Sequence, residues 1–157
     1  MGTTAETGRM GERAAAEFLR HAGYEICALN WRSGRYELDI VARKGDFVHF
    51  VEVKTRCADG LTPPEAAVTP QKFRALTRAA LRYMACTGEE REAQFDLIAV
   101  EVMPGGETEV RLIPQAMEYN FGNFAFPTNY TTFVGLKNQC SGPKPETKPV
   151  CPATDKP

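Results

Sequence analysis

"YELDIVARKGDFVHFVEVKTR", residues 36–56, reads as two strands joined by a tight turn, with charges where strand interiors disfavour them. Glu37, Asp39, Glu52 and Lys54 interrupt runs of Leu, Ile, Val and Phe that would otherwise form a buried hairpin. Within "KGDF", Gly45 and Asp46 make a two-residue loop in the Gly-first order that a type II′ turn prefers. Lys44 then faces Phe47, and the register sets Asp39 opposite Glu52, Glu37 opposite Lys54 and Val41 opposite Phe50. Facing residues share one side of a sheet, so all four charges are expected on one face. A three-residue loop would instead separate Asp39 from Glu52.

Energetics give this arrangement its meaning. Facing Cβ atoms lie about 5 Å apart, and like charges directly opposite destabilise the pair. At the effective dielectric of a partly buried site the repulsion is on the order of 4 kcal/mol at about 4 Å. A cation would remove that penalty. Carboxylate oxygens with water suit Mg²⁺ or Mn²⁺, whereas His49 alternates to the face away from Glu52 and no cysteine is close, which argues against zinc. Lys54 shares the side of Glu52 and is suited to holding a water or a developing negative charge, with Glu37 orienting its ammonium.

The plain alternative is a salt-bridged hairpin facing solvent. Two features weigh against it. The opposite strand faces (Leu38, Ile40, Val51, Val53) are apolar, and so are Val41, Val48 and Phe50 on the charged side. In addition, "GRMGERAAAEFLRHA" (8–22) reads as a helix in which Glu12 stands beside Ala15, Ala16 and Leu19, on or next to the apolar stripe. A third carboxylate is thereby brought toward the same site, although a helix-start glutamate is also favoured by the macrodipole.

The remaining elements follow from local signals. Gly23 closes the first helix, "YEICALNWR" (24–32) suits a strand, and "SGR" a turn. "ADGLTPPEAA" (58–67) is a loop, after which Thr69 as N-cap and Pro70 in the first turn open a helix to about Cys86. "AQFDLIAVEVM" (93–103) and "EVRLIP" (109–114) are strands. The order α-β-β-β-α-β-β predicts an α/β fold with one central mixed sheet flanked by helices, over a domain spanning 1–116. From 117 to 157 no sustained period survives, and the Pro-, Lys- and Thr-rich end predicts a largely disordered tail with the aromatic stretch Phe121 to Phe133 as an irregular arm.

Composition bounds the class. The 157 residues suffice for one domain with a real core, and 43% hydrophobic content is ordinary for a globular protein. The net charge of −1 supplies no global pull toward nucleic acid, but residues 1–86 hold 13 basic against 10 acidic residues and residues 87–157 hold 6 against 10. Five scattered cysteines without a CxxC pair, no signal peptide and no membrane-length apolar run predict a cytoplasmic protein with free thiols.

Asp39 followed thirteen residues later by Glu52-Val53-Lys54 resembles the PD-(D/E)xK nuclease signature on adjacent strands. Together with "GERAAAEFLRHAGYEICALNWR", "ELDIVA", "FVEVKTR" and "QKF…AALRYM…FDLIAV", it resembles the YraN-like family of predicted endonucleases, itself similar to Holliday junction resolvases. The likeness covers roughly residues 8–114. It implies a restriction-endonuclease-like fold and Mg²⁺- or Mn²⁺-dependent cleavage of nucleic acid. By position, Asp39 and Glu52 match metal ligands with the Val53 carbonyl, Lys54 the catalytic lysine, Glu12 the helix glutamate, and Glu37 the glutamate of the family's GE-x-D stretch. Tyr36 stands where the family usually has glycine, and Lys72 matches a family lysine for which phosphate contact is the implied role.

Substrate contacts are expected from Arg74, Arg78 and Arg82, spaced i, i+4, i+8 on the second helix with Lys72 near its start, and from Arg35 and Arg56 at the hairpin ends, where Arg32, Arg43 and Lys44 also cluster. The expected partner is nucleic acid, DNA ahead of RNA, with a homodimer left open. The alternative from a different class is a nuclease-like module that grips nucleic acid without cutting it.

Overall fold

The computed structural model describes residues 4–58 and 68–116, and the backbone alone of 131–135. Helix α1 (Thr4–His21) leads into β1 (Glu25–Ser33), the hairpin β2 (Tyr36–Lys44) and β3 (Phe47–Cys57), helix α2 (Pro70–Thr87), β4 (Glu92–Val102), β5 (Thr108–Ile113) and β6 (Thr131–Gly135). The six strands form one sheet in chain order. Only β3 and β4 are parallel. A parallel pair needs a crossover connection, and α2 lies within it.

Two cores follow from the two sheet faces. Helix α1 lays Ala15, Ala16, Phe18 and Leu19 on Ile40, Val51, Val53, Ile98 and Val100. Helix α2 lays Leu76, Ala79, Ala80 and Tyr83 on Val48, Phe50, Leu97 and Trp31. Strand β3 is therefore covered on both faces and paired on both edges, which is why its apolar residues run almost without interruption. Thr69 accepts the Lys72 N–H at 3.2 Å as N-cap of α2, and Gly88 closes the helix with φ +67. Gly45 has φ +58, as a Gly-first hairpin turn requires.

Every element expected between residues 8 and 114 is present in the expected order. The sixth strand, Thr131–Gly135, overlaps only the end of the stretch expected as an irregular arm and pairs antiparallel with β5. Five residues are too short for alternation to show, and the unpaired edge of β5 supplies the template. The expected loop is outside the described residues from 59 to 67, and so is the rest of the tail. Cys27, Cys57 and Cys86 are free thiols, and among the described residues no helix is long and apolar enough to cross a membrane.

Helix α1 packs against β3 at Gly11, where an added Cβ would fall inside the van der Waals envelope of the Thr55 side chain. Gly8, one turn earlier, has nothing within 4 Å of that position. Gly11→Ala is expected to lose about 1–3 kcal/mol through overpacking. Gly8→Ala should gain up to about 1 kcal/mol from helix propensity. Urea unfolding of the two variants checks the pair, and equal effects would place the helix elsewhere on the sheet.

Candidate active site

The hairpin register holds as expected as far as Ile40 opposite Val51. Asp39 and Glu52 are the next residues along, and there the backbone ladder ends. The Val53 N–H is donated to the Asp39 carboxylate at 2.9 Å. Strand alternation breaks at the same level, since Leu38 and Val41, three residues apart, both pack in the core under α2. In β1 the break falls at Asn30, which lies between Leu29 (opposite Ile40) and Trp31 (opposite Leu38) and has φ +50. Asparagine tolerates this left-handed conformation better than most residues. Its side chain donates to Glu12 Oε2 at 2.8 Å, tying the middle of α1 to this end of the sheet.

Glu52 is 4% exposed and in mid-strand. A buried carboxylate must be paired, and Glu52 Oε1 meets two ammonium groups: Lys54 Nζ at 2.9 Å and Lys72 Nζ at 3.1 Å. Asp39 has no such contact. Burial foremost, then the Glu52 charge with a smaller push from Glu12, raises its carboxyl to about 6, against the pull of the Val53 N–H and Lys72. Glu12 arrives from the α1 face and Lys72 from the α2 face, so the opening between β2 and β3 gathers groups from both sides of the sheet.

One expected placement is corrected. Glu37 does not face Lys54; it pairs with Arg32 at 2.6 Å across β1 and β2, where the two residues are register partners, and both are exposed. The end of the β2–β3 ladder at Asp39 removes the pairing that would have joined Glu37 to Lys54. Lys72 is near the start of α2, as expected. It shares the i, i+4, i+7, i+11 stripe of Leu76, Ala79 and Tyr83, which points toward the sheet and carries its ammonium to Glu52. Arg74, Arg78 and Arg82 are exposed on the other side of α2, with Arg82 Nε 3.5 Å from Ser33 Oγ. Arg35 is exposed over the Tyr36 ring at 5.6 Å, and Arg56 is half-buried near the end of β3. Tyr36, in the place of a family glycine, packs on the α2-side core.

Other basic residues near the hairpin are structural. Arg43 binds Glu89 at 2.6 Å, and Lys44 donates to the Ala22 carbonyl and stands over the Tyr24 ring. His49 does face away from Glu52. It pairs through Nδ1 with Asp96 at 2.7 Å, both buried on the α1 face toward the hairpin tip.

Among the described residues, no three side chains of His, Cys, Asp or Glu converge as a metal cage. Asp39 and Glu52 nonetheless form a hard oxygen pair whose mutual repulsion a divalent cation would relieve. The Val53 carbonyl faces the same strand edge as its N–H, where the ladder has ended. This donor set fits Mg²⁺ or Mn²⁺ completed by water. Sequence reasoning missed Asn30 and Asp96. Both interrupt strand-like runs with residues that strands disfavour, which was the available signal.

A family model described as "Uncharacterised protein family UPF0102" matches residues 11–100. A UPF0102 protein of Syntrophus aciditrophicus (strain SB) is 39% identical over 117 residues, covering 74% of this chain and 91% of the relative. One from Symbiobacterium thermophilum is 44% identical over 110 residues (69% and 93%), and one from Nitratidesulfovibrio vulgaris (strain DP4) 48% over 95 (60% and 71%). The chain belongs to the UPF0102 family, the YraN-like family whose motifs it carries. The matched span includes Glu12, Asp39, Glu52, Lys54 and Lys72 and stops short of β5.

Asp39 titrates above its ordinary value of 3.8, so between about pH 4 and 6 the folded state holds more protons than the unfolded one. Its charge therefore costs stability as pH rises through that window, and costs nothing below it. In the metal-free protein Asp39→Asn should be more stable than wild type at pH 7, by about 1–2 kcal/mol after allowing for solvent screening. At pH 3.5 the difference should vanish. Thermal melts across pH check this; a pH-independent difference would mean the carboxyl is not strained by ionisation.

Proposed function

We propose that this UPF0102 protein is a divalent-metal-dependent endonuclease that hydrolyses phosphodiester bonds in nucleic acid, DNA ahead of RNA. The carrying observation is the meeting of Asp39, Glu52 and Lys54 where the β2–β3 ladder opens, with Asp39 raised to about 6 by burial and by Glu52. The likeness to Holliday junction resolvases supports selectivity for branched DNA.

Asp39, Glu52 and the Val53 carbonyl would hold Mg²⁺ or Mn²⁺, which when bound supplies Lewis-acid polarisation of the phosphate and a more acidic water. The chain's own groups do the rest. The Val53 N–H fixes the Asp39 carboxylate in one orientation. Lys54, one third exposed on its side chain, keeps its ammonium against Glu52 and within reach of a phosphate entering the opening. There it orients the attacking water and balances the charge that grows on the phosphoryl oxygens. Glu12, held by Asn30, adds a proton acceptor from the α1 side. Arg74, Arg78, Arg82, Arg35 and Arg56 provide sequence-independent phosphate contacts along α2 and the strand ends.

The second reading, a binding module without catalysis, is favoured by one observation: two lysines already neutralise Glu52, so the cluster stands without a metal. Incubation with single-stranded, duplex and four-way-junction DNA in Mg²⁺ or Mn²⁺ separates the two. The expected outcome is metal-dependent cleavage, reduced on the order of 10²–10³-fold in Lys54→Ala, with DNA affinity changed only a few-fold. Wild-type protein that binds all three DNAs and cuts none with either ion would establish the module instead.

A further inference from the structure

Lys72 is the one group at this site that a different element delivers to an already paired carboxylate. Glu52 is satisfied by Lys54 two residues along the same strand, yet Lys72 crosses from α2 to the same oxygen, Oε1, at 3.1 Å. It does so from the first turn of α2, where the macrodipole disfavours a cation and where the helix carries no acidic residue. Its side chain is 44% exposed, against 5% for Glu52. A long, half-exposed ammonium at an unfavourable helix end is a displaceable counter-ion.

Charge balance shows what displaces it. With Asp39, Glu52 and Glu12 as carboxylates and Lys54 and Lys72 as ammonium groups, the cluster carries one net negative charge. A divalent cation added to it leaves one excess positive charge in a partly buried place, which one entering phosphodiester cancels. From this, and resting on the nuclease reading above, we infer that Lys72 is a built-in counter-cation: it holds the metal's side of Glu52 while nucleic acid is absent, and moves to the substrate phosphate when metal and nucleic acid bind. Metal affinity is then low for the free protein and rises with bound nucleic acid, so the two ligands bind with positive coupling. Lys54 keeps its contact on the strand throughout. Lys72 is thus a substrate-contacting residue that also sets metal occupancy.

The test is Mn²⁺ titration of the full chain by calorimetry, without nucleic acid and then with a duplex carrying non-hydrolysable phosphorothioate linkages. Lys72→Met keeps the length of the stem and removes the charge; Lys72→Gln provides a second neutral variant and Lys72→Arg keeps the charge. The neutral variants are expected to bind Mn²⁺ about tenfold tighter than wild type without DNA, and to lose most of the gain that DNA brings. Lys72→Arg should stay weak, and Asp39→Asn should abolish binding in every background. Mn²⁺ affinity in Lys72→Met and Lys72→Gln equal to or below an Asp39-dependent wild-type affinity would overturn the counter-cation role and leave the nuclease reading intact. Absence of Mn²⁺ binding in all variants would overturn both.

Discussion

Glu52 is a carboxylate in the middle of a strand that is covered on both faces, at the point where its pairing with β2 stops and its pairing with β4 continues. That position would be untenable without cations, and the surroundings are organised to supply them. Lys54 follows two residues later on the same side, and the inward stripe of α2 begins with a lysine rather than an apolar residue. The capping of α2 by Thr69 and Pro70 sets where that stripe starts, so helix-start chemistry and the neutralisation of a buried charge are one local problem. The parallel β3–β4 pairing contributes by putting α2 over this face of the sheet.

Among the described residues charge is buried in three places, with different outcomes. At the hairpin tip, burial alone would raise Glu89, but the Arg91 N–H and the guanidinium groups of Arg43 and Arg91 outweigh it and hold the carboxyl near 2. Asp96 accepts from His49, Gln94 and the Gln115 N–H. Both are fully satisfied and bind elements together. Asp39 differs: it has one backbone donor and two carboxylates acting against it. Among the described residues no buried side-chain polar atom lacks a partner, so the strain at Asp39 is electrostatic and not a missing hydrogen bond. The carboxyl is complete in hydrogen bonds, while the ammonium groups of Lys54 and Lys72 are held by Glu52.

The irregularities cluster as well. The end of the β2–β3 ladder, the broken alternation between Leu38 and Val41, and left-handed Asn30 all fall at one level of the sheet. Each gives up regular pairing there, and together they open a gap into which Asp39, Glu12 and the Val53 edge can converge. On the hairpin-tip side of that level the β2–β3 ladder is continuous, and β1 has a separate register shift between Ile26 and Ala28.

Period and turn chemistry made most of the fold legible. The two-residue Gly45-Asp46 turn set the hairpin register, the Thr69-Pro70 start placed α2, and the helix-strand order was enough for an α/β sheet. Asp39, Glu52 and Lys54 were likewise readable, because charges in strand interiors stand out against the background composition. The partners of those charges were not. Whether Lys54 meets Glu37 or Glu52 depends on where the ladder ends, and that depends on the Asp39 carboxylate taking a backbone N–H. Lys72 reaches Glu52 only because the parallel crossover lays α2 over β3, although its place on the Leu76–Tyr83 stripe hinted at an inward direction. The sixth strand, the Asn30–Glu12 link and the His49–Asp96 pair join residues far apart in the chain. Local propensity carries no information about such contacts, because their energy exists only once the sheet has brought the segments together.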